Sequence, residues 1–287
     1  MVIVTYRSVA TLADTLSSLP LEDLAAVLVV DNASDDETLS VAGAFSQRGV
    51  RCLPQEENRG FGAGCNTGIA AAPGTSDLIL LLNPDALLSA TALDELIRYL
   101  DATPACAAAG PRLFRGGTAL PSAATWVTTR SELRFVMPPV LMPLFPDRRF
   151  PADYDRTGPV PVLEGACLLV RRKAVEEVGG FDEAQFLYFE EDLLAARLAA
   201  AGWECHLVGS AAAEHQVGVS TASLGLARET VYVAAAVRHL RRVRGAGRAR
   251  AFSVAARGCW WLRSRAGHFP RDRADALIAG LNQAGRP

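Results

Sequence analysis

The sequence predicts an α/β protein with a Rossmann-like, mostly parallel sheet flanked by helices and a helical, basic C-terminal extension. Short apolar runs alternate with helical segments along the first hundred residues, which is typical of a parallel sheet covered by helices. The 287 residues are 50% apolar with a net charge of −2, so the chain can bury a core and is not mainly disordered. Arginine is concentrated near the C-terminus.

The elements follow in order from these runs. Strands are predicted over residues 1–6, 25–31, 50–53 and 77–82, and helices over 8–19, 36–48, 63–72 and 90–101. Residues 115–160 are rich in Pro, Gly and Arg, and we interpret them as an excursion over a site rather than as core. The remaining predictions are strands over 160–170 and 203–208, and helices over 172–178, 186–201 and 223–243. We therefore expect a domain of residues 1–222, with halves 1–103 and 104–222, and an extension of residues 223–287.

Composition excludes several classes of protein. No apolar run reaches the ~18 residues of a membrane-spanning helix, and the chain opens on a strand-like run rather than on a secretory signal. The six cysteines are scattered without a CxxC pair, which indicates a reduced, cytoplasmic protein and argues against a cysteine-based zinc site.

Charge is divided unevenly along the chain. Residues 228–273 contain twelve arginines against two acids, so residues 1–227 carry a net charge of −12. Because contacts with phosphates need clustered basic side chains, we expect no nucleic-acid partner for the acidic part.

Polar side chains follow the first two predicted strands. Thr5 and Tyr6 end the first strand, and Asp31 ends the second. A carboxylate at a strand end can accept a hydrogen bond from a bound base, and an aromatic ring can stack on that base. Asp35 belongs to the same polar group after the second strand. For Asp35 and Ser34, the alternative to a role in binding is that they cap the next helix.

A glycine-rich segment, residues 57–66, precedes the third predicted helix. Its glycines at every second position allow close approach of a ligand to the backbone, and a helix N-terminus favours phosphate. The segment lacks the spacing of a dinucleotide fingerprint and the Lys-Ser/Thr pair of a triphosphate loop. A flexible turn is the alternative.

The sequence Asn83-Pro84-Asp85 ends the most apolar predicted strand. Asp85 is placed there to hold a hard divalent cation through oxygen, leaving other coordination positions for a diphosphate. An ordinary Asn-Pro-Asp turn is the alternative.

Three adjacent acids, Glu190, Glu191 and Asp192, fall in a predicted helix. Acids in a first turn normally compensate the helix dipole. The apolar residues 186–189 before them are unusual for a solvated face. We therefore interpret the acids as carboxylates at a pocket edge, where burial raises a pKa toward that of a general base.

Taken in order, these segments resemble family 2 glycosyltransferases, especially their bacterial rhamnosyltransferase-like branch. The resemblance covers about residues 1–220 and rests on VTYRS, VVDNASDD, ENRGFGAGCNTGI, LLNPDALL, EGACLLVRR, FDEAQFLYFEEDLLAARLAAAGW and EHQVGVS. It implies a GT-A fold whose halves 1–103 and 104–222 bind the nucleotide sugar and the acceptor. It also implies transfer of a sugar from a nucleoside diphosphate with inversion at the anomeric carbon.

The resemblance also implies roles for single residues. Nucleotide-sugar binding is implied for Thr5, Tyr6, Asp31, Asn58, Gly60, Asn66, Asn83 and Gly165. Asn83 and Asp85 stand in for the Asp-x-Asp motif, so Asp85 is expected to hold Mg²⁺ or Mn²⁺. His215 matches a metal ligand of some relatives, with a structural histidine as the alternative. The catalytic carboxylate falls on Glu191, with Asp192 as runner-up and Glu190 adjacent.

The implied donor is a dTDP-linked deoxysugar such as L-rhamnose, with UDP-linked sugars next, and the implied acceptor is a glycan or polyprenyl-linked saccharide. A sugar-nucleotide-forming nucleotidyltransferase would share the sheet and the metal aspartate, but it would usually carry Lys and Arg in an N-terminal Gly-rich loop. Residues 1–15 offer only Arg7. A non-catalytic carbohydrate-binding protein would not need metal and base carboxylates at separate strand ends.

The extension allows two interpretations. Arginines surround the apolar sequence Cys259-Trp260-Trp261-Leu262, which is typical of an interfacial helix on anionic lipid. That would place the protein peripherally on the inner face of the cell membrane. The alternative is a pair of helices packed on the catalytic domain with arginine as the solvated face.

Overall fold

The computed structural model describes residues 1–137, 141–145, 147–216, 225–267 and 270–284. Five predictions fall wholly or partly outside the described residues. These are the excursion over 115–160, the domain boundary at residue 222, the extension over 223–287, the helix over 223–243, and the end of the EHQVGVS segment.

The described residues form twelve strands and ten α-helices. The strands are β1 (Val2–Thr5), β2 (Val27–Asp31), β3 (Val50–Pro54), β4 (Leu78–Leu82), β5 (Ala86–Leu88), β6 (Cys106–Arg115), β7 (Thr118–Leu120), β8 (Ala123–Ala124), β9 (Gly158–Val160), β10 (Val162–Leu163), β11 (Cys167–Arg171) and β12 (Glu204–His215). The helices are α1 (Leu12–Ser17), α2 (Thr38–Gly43), α3 (Phe61–Ala71), α4 (Ala90–Ala102), α5 (Thr129–Val136), α6 (Arg172–Glu177), α7 (Glu190–Ala200), α8 (Ala227–Arg244), α9 (Ala246–Arg265) and α10 (Arg271–Gln283).

The main sheet has the strand order β3-β2-β1-β4-β11-β6-β12-β5. Strands β3, β2, β1 and β4 are parallel, whereas β11 runs antiparallel between β4 and β6. The carboxyl ends of the parallel strands therefore share one edge, where polar side chains from distant parts of the sequence can meet. The predicted α/β class, with a mostly parallel sheet and flanking helices, is confirmed.

The chain forms two compact units. One, here called the sheet unit, comprises Met1–Thr125, Arg149–Phe186 and Glu190–Ser220; the other, the helical unit, comprises Trp126–Arg148, Leu187–Phe189 and Thr221–Pro287. Residues 126–148 and 187–189 thus join the C-terminal helices, although they fall inside the predicted domain of residues 1–222. How these units divide the function stays a prediction.

The sheet unit buries side chains on both faces of its sheet. Because side chains alternate along a strand, Ile3 packs in the cluster that contains α1 and α4, while Val2 and Val4 pack in the cluster that contains α3 and α7. The helical unit has a separate core, in which Phe252 and Trp260 of α9 are buried with side chains of α8 and α10. In the part of the chain that the structure describes, no helix is both long enough and apolar enough to cross a membrane.

Several predicted elements differ from the structure. Strand β6 was not predicted, and β12 extends to His215 rather than ending near residue 208. The stretch 160–170 contains the last residue of β9, all of β10 and most of β11 rather than one strand. The stretch 115–160, predicted to lie outside the core, contributes buried Ala123 and Ala124. The helix predicted from residue 186 begins at Glu190, because Tyr188 and Phe189 adopt left-handed backbone angles, with φ of 68° and 67°.

Candidate active site

A group of carboxylates opens helix α7. Glu190 and Asp192 are buried, with 5% and 1% of their surface exposed, and Glu191 is half-buried. Burial, opposed in part by a backbone hydrogen bond, raises the pKa of Glu190 to about 7 from 4.5. One oxygen of Glu190 (Oε2) has no hydrogen-bond partner among the described residues. The predicted acids therefore occupy an interior position, which dipole compensation alone would not require.

Glu191 lies beside Gly165. A Cβ placed at Gly165 would be 3.8 Å from the Glu191 carboxylate, so the absence of a side chain there leaves space in front of this acid. Burial raises the pKa of Glu191 well above its usual range, and the neighbouring charges of Glu190, Asp192 and Glu164 raise it further. Glu191 is thus a carboxylate with increased proton affinity that lies beside the methyl-sized space at Gly165.

The two predicted metal ligands are neighbours. Strand β5 begins directly after Asp85 and pairs with the end of β12, with Ala86 opposite His215. As a result His215 Nε2 lies 3.3 Å from Asp85 Oδ1, while the backbone N–H of Gln216 donates to the Asp85 carbonyl at 3.0 Å. Sequence placed these residues 130 positions apart, and the β5–β12 pairing brings them together.

The geometry of this pair fits a divalent cation. Two ligand atoms bound at right angles, each at about 2.1 Å from an ion, lie about 3.0 Å apart, and the observed oxygen–nitrogen separation is 3.3 Å. The described residues contain no cluster of three or more His, Cys, Asp or Glu side chains suited to a metal. A hard cation here would therefore take its other ligands from a substrate diphosphate and water, as Mg²⁺ commonly does in proteins.

A backbone hydrogen bond joins the segment that carries Asp85 to the residues beside Glu191. The N–H of Asn83 donates to the carbonyl of Ala166 at 2.9 Å, and Ala166 follows Gly165, the neighbour of Glu191. Asn83 accepts from the N–H of Ala86 at 3.1 Å, which closes the turn that carries Asp85. The structure therefore brings Asn83, Gly165 and Glu191 into one connected group around the end of β4.

Thr5 and Asp31 end the paired strands β1 and β2 opposite each other. Both are buried, and the Thr5 hydroxyl donates to Asp31 Oδ1 at 2.9 Å. Ser34 donates to the same carboxylate through its hydroxyl at 2.6 Å and its N–H at 2.9 Å. Three acceptor positions of Asp31 are thus used within the protein, leaving about one for a ligand. Direct contact of Thr5 and Asp31 with a nucleobase stays a prediction.

Tyr6 is half-buried beside this network. The Arg7 guanidinium lies 5.2 Å from the centre of the Tyr6 ring and forms an exposed ion pair with Asp35 at 2.6 Å. Hydrogen bonding to Asp35 raises the pKa of Arg7 and lowers that of Asp35. Asp35 is therefore tied to Arg7, and stacking of Tyr6 on a base stays a prediction.

The turn before α3 is fixed by contacts within the protein. The Asn58 side-chain oxygen accepts from the N–H of Gly60 at 3.0 Å, and the buried Asn32 amide donates to the Gly60 carbonyl at 3.0 Å. Gly60 has a φ of 91°, and a Cβ there would collide with the Phe186 carbonyl oxygen. The same oxygen accepts from the N–H of Phe61 at 3.1 Å. The loop is thus locked against the chain that leads to the carboxylates.

The other glycines of this segment serve packing. A Cβ at Gly62 would press on the Phe181 side chain, and one at Gly64 would clash with Val4 of β1. These positions let α3 approach the sheet closely, which corrects the interpretation that every glycine of the segment admits a ligand.

Asn66 braces the chain before α7. Its amide nitrogen donates to the Phe181 carbonyl at 3.0 Å and to Glu183 at 2.9 Å, and its oxygen accepts from the N–H of Phe181 at 2.9 Å. Glu183 also pairs with Arg59. Because its amide is engaged in this way, Asn66 has a supporting role in the structure, and its contact with nucleotide stays a prediction.

Sequence reasoning missed two contributors to the site. Glu164 raises the pKa of Glu191 through its charge, and the carbonyl of Phe186 fixes the glycine turn. A lone acid before a glycine and a backbone carbonyl carry no sequence signal, so only the packing identifies them.

Comparison with known proteins identifies the class to which this fold and site belong. The profile described as Glycosyl transferase family 2 matches residues 1–179, more than half of the chain. The chain belongs to glycosyltransferase family 2, and the predicted family membership is confirmed.

Two curated relatives are glycosyltransferases. The chain is 35% identical over 263 residues to N-acetylglucosaminyl-diphospho-decaprenol L-rhamnosyltransferase from Mycobacterium tuberculosis, an alignment covering 83% of this chain and 84% of that protein. It is 24% identical over 193 residues to the low-salt glycan biosynthesis hexosyltransferase Agl10 from Haloferax volcanii, covering 67% of this chain and 58% of that protein. The similarity to the rhamnosyltransferase-like branch is therefore confirmed at the level of sequence.

Solved structures show the same fold. The mannosyltransferase PcManGT from Pyrobaculum calidifontis, in complex with GDP-Man and Mn²⁺, matches 99% of this chain and 84% of its own, with a TM-score of 0.57 and 16% identity. GalNAc-T7 with UDP, GalNAc and Mn²⁺ matches 84% of this chain at a TM-score of 0.60 and 14% identity, and this chain spans 47% of its length. At these identities the likeness establishes the GT-A fold alone.

Proposed function

We propose that this chain transfers a deoxyhexose such as L-rhamnose from a dTDP- or UDP-linked donor to a hydroxyl group of a polyprenyl-diphosphate-linked saccharide. The transfer inverts the anomeric carbon. The proposal rests mainly on one observation: the base candidate Glu191 and the pair Asp85–His215 lie at either end of the group connected through Gly165, Ala166 and Asn83. The 35% identity to an L-rhamnosyltransferase supports the donor and acceptor classes.

Asp85 and His215 are the residues that would hold Mg²⁺ or Mn²⁺. When bound, such a cation supplies neutralisation of the negative charge that develops on the departing diphosphate. Two solved structures of the same fold contain Mn²⁺, which supports a divalent cation as the ligand of this protein. The half-buried His215 side chain, 14% exposed, leaves the pair accessible from one side.

Glu191 removes the proton from the acceptor hydroxyl. The hydroxyl oxygen forms a bond to the anomeric carbon while the bond from that carbon to the diphosphate oxygen breaks, and the diphosphate leaves with the electron pair. Glu191 is favoured over Asp192 because Asp192 is 1% exposed, whereas Glu191 is half-buried and lies beside Gly165, which has no side chain to cover it. Glu190 and Glu164 increase the proton affinity of Glu191 through their charge.

Replacement of the base tests the mechanism. We expect Glu191→Gln to lower kcat about 100- to 10,000-fold, the usual contribution of a general base, with little change in the binding of dTDP or UDP measured by calorimetry. Glu56→Gln, an exposed acid in the same unit, is the matched control. Turnover by Glu191→Gln near that of the wild type would reject Glu191 as the base. Asp192→Asn, assayed in parallel, would then show whether the role belongs to its neighbour.

The donor class is tested by binding. Thermal shift with dTDP, UDP and GDP, each with and without Mn²⁺, should give the largest stabilisation with dTDP or UDP together with the metal. Equal shifts in melting temperature for all three nucleotides would contradict the proposed donor. Shifts that are the same with and without Mn²⁺ would contradict the proposed metal.

A further inference from the structure

Helix α9 carries apolar side chains on two opposite faces. Its inner face is buried in the core of the helical unit, and its members recur every three or four residues: Ala249, Phe252, Ala256 and Trp260. On its outer face Val254, Trp261 and Leu262 are 67%, 52% and 60% exposed. The inner face alone is sufficient for packing, so the outer apolar side chains need a different explanation.

The outer face is also strongly basic. Helix α9 contains five arginines and no acidic residue. Arg250, Arg257 and Arg265 are exposed and fall on the same stripe as Val254 and Trp261, because their spacings of three and four residues match the helical repeat. The Arg265 guanidinium lies 5.4 Å from the centre of the Trp261 ring, and Arg257 donates to Asn282 of α10 at 2.7 Å.

Exposed apolar side chains are concentrated in the helical unit. Of the ten large exposed apolar side chains among the described residues, only Val9 and Phe186 belong to the sheet unit. The segments of the helical unit have a net charge of +11, so those of the sheet unit carry −13. The outer face of α9 therefore combines an exposed tryptophan and leucine with an uncompensated positive charge, as helices that lie in a membrane interface do.

We propose that the outer face of α9 docks on the surface of an anionic lipid bilayer, with Trp261, Leu262 and Val254 entering the headgroup region and the three arginines contacting lipid phosphates. Charge complementarity selects this partner. A second copy of the chain would bring two helices of charge +5 together, whereas anionic lipid neutralises each arginine. The proposal does not depend on the sugar transferred.

Vesicle co-sedimentation of the full chain tests the proposal. We expect binding to vesicles of phosphatidylglycerol and phosphatidylcholine, little binding to phosphatidylcholine alone, and a decrease as salt rises. The double variant W261S/L262S should bind the mixed vesicles roughly tenfold more weakly, because two apolar contacts are lost. The variant R250E/R265E should lose at least about tenfold as well, since each arginine near such a surface contributes measurably.

A matched control distinguishes the effect of the arginines on the outer face of α9 from the effect of changing the net charge of the protein. The variant R51E/R98E makes the same change in charge at exposed arginines of the sheet unit and should bind like the wild type. Equal sedimentation of the wild type, W261S/L262S and R250E/R265E would overturn the proposal, as would failure of the wild type to sediment. Light scattering without vesicles completes the test: a dimer that W261S/L262S converts to a monomer would identify the face as a self-association surface instead. None of these measurements requires a substrate, so their failure leaves the proposed reaction untouched.

Discussion

The sheet unit and the helical unit use charge in different ways. Among the described residues, the sheet unit buries the four acids Asp31, Asp85, Glu190 and Asp192, whereas the helical unit buries one, Glu132, and exposes most of its arginines. Burial favours the neutral form in both units: it raises the pKa of Glu190 to about 7, and burial with nearby Arg148 and Arg244 lowers the pKa of His239 to about 4. The difference teaches that the proposed chemistry depends on desolvated acids, whereas the exposed arginines keep their charge available for contact with a charged surface.

The adjacent residues Trp260 and Trp261 offer the largest test of this contrast. Trp260 is 0% exposed and Trp261 is 52% exposed. We expect Trp260→Ala to lower the free energy of unfolding by about 3–5 kcal/mol, because it leaves a cavity in the core of the helical unit. Trp261→Ala should change it by less than about 0.5 kcal/mol. Urea unfolding measures both values. Similar losses of unfolding free energy in the two variants would contradict the assignment of Trp260 to a buried face and Trp261 to an exposed face of α9.

The next effect concerns the buried acid at the end of β4. Asp85→Asn should lower kcat/KM about 100- to 1000-fold, the usual loss when one charge-stabilising group is removed. It should also raise the Mn²⁺ concentration needed for half-maximal rate, because a carboxylate binds a hard cation better than an amide does.

A control for Asp85 lies at the other end of the same strand. Asp77 is exposed directly before β4, and Asp77→Asn makes the same chemical change away from His215. In initial-rate measurements over a Mn²⁺ titration, Asp77→Asn should have the kcat/KM and the half-maximal Mn²⁺ concentration of the wild type. An unaltered metal requirement in Asp85→Asn would show that this residue does not hold the cation.

Much of the sheet unit could be predicted because its strands are apolar runs of strand length. The strands β1, β2, β3 and β4 coincide closely with the predicted segments. Strand β6 could not be predicted, because its sequence CAAAGPRLFR combines weak strand formers with a Gly-Pro break. Its conformation is fixed by pairing with β11 and β12, which are distant in sequence.

The position of Asp85 near the end of a strand was predictable, because Asn83-Pro84-Asp85 follows the apolar run of β4. The three acids of α7 were noticed because an apolar segment precedes them, and Glu191 was singled out among them by the family resemblance. The bracing contacts of Asn66 could not be predicted, because its partner Phe181 is 115 positions away in sequence, and nucleotide binding by Asn66 stays a prediction. The start of α7 was also misplaced, because the left-handed angles of Tyr188 and Phe189 depend on packing rather than on intrinsic helix propensity.

Replacement of Glu190 should give the smallest of these effects, a pH-dependent change in the free energy of unfolding that tests the buried acids of the sheet unit. Its pKa is about 7 in the folded chain and near 4.5 when unfolded, so the folded state binds the proton more tightly. The contribution of Glu190 to the free energy of unfolding is therefore fully present below pH 4.5. It decreases as the pH rises from 4.5 to 7 and is lost above pH 7. Glu190→Gln should raise the free energy of unfolding by up to about 3 kcal/mol at pH 8 and by little at pH 4.5. Urea unfolding at both pH values, with Glu56→Gln as the exposed control, measures this difference. If the difference in unfolding free energy between the wild type and Glu190→Gln did not change with pH, the pKa of Glu190 would not be raised in the folded state. Glu190 would then be charged at neutral pH despite its burial, and the proposed role of desolvated acids in the sheet unit would lose its support.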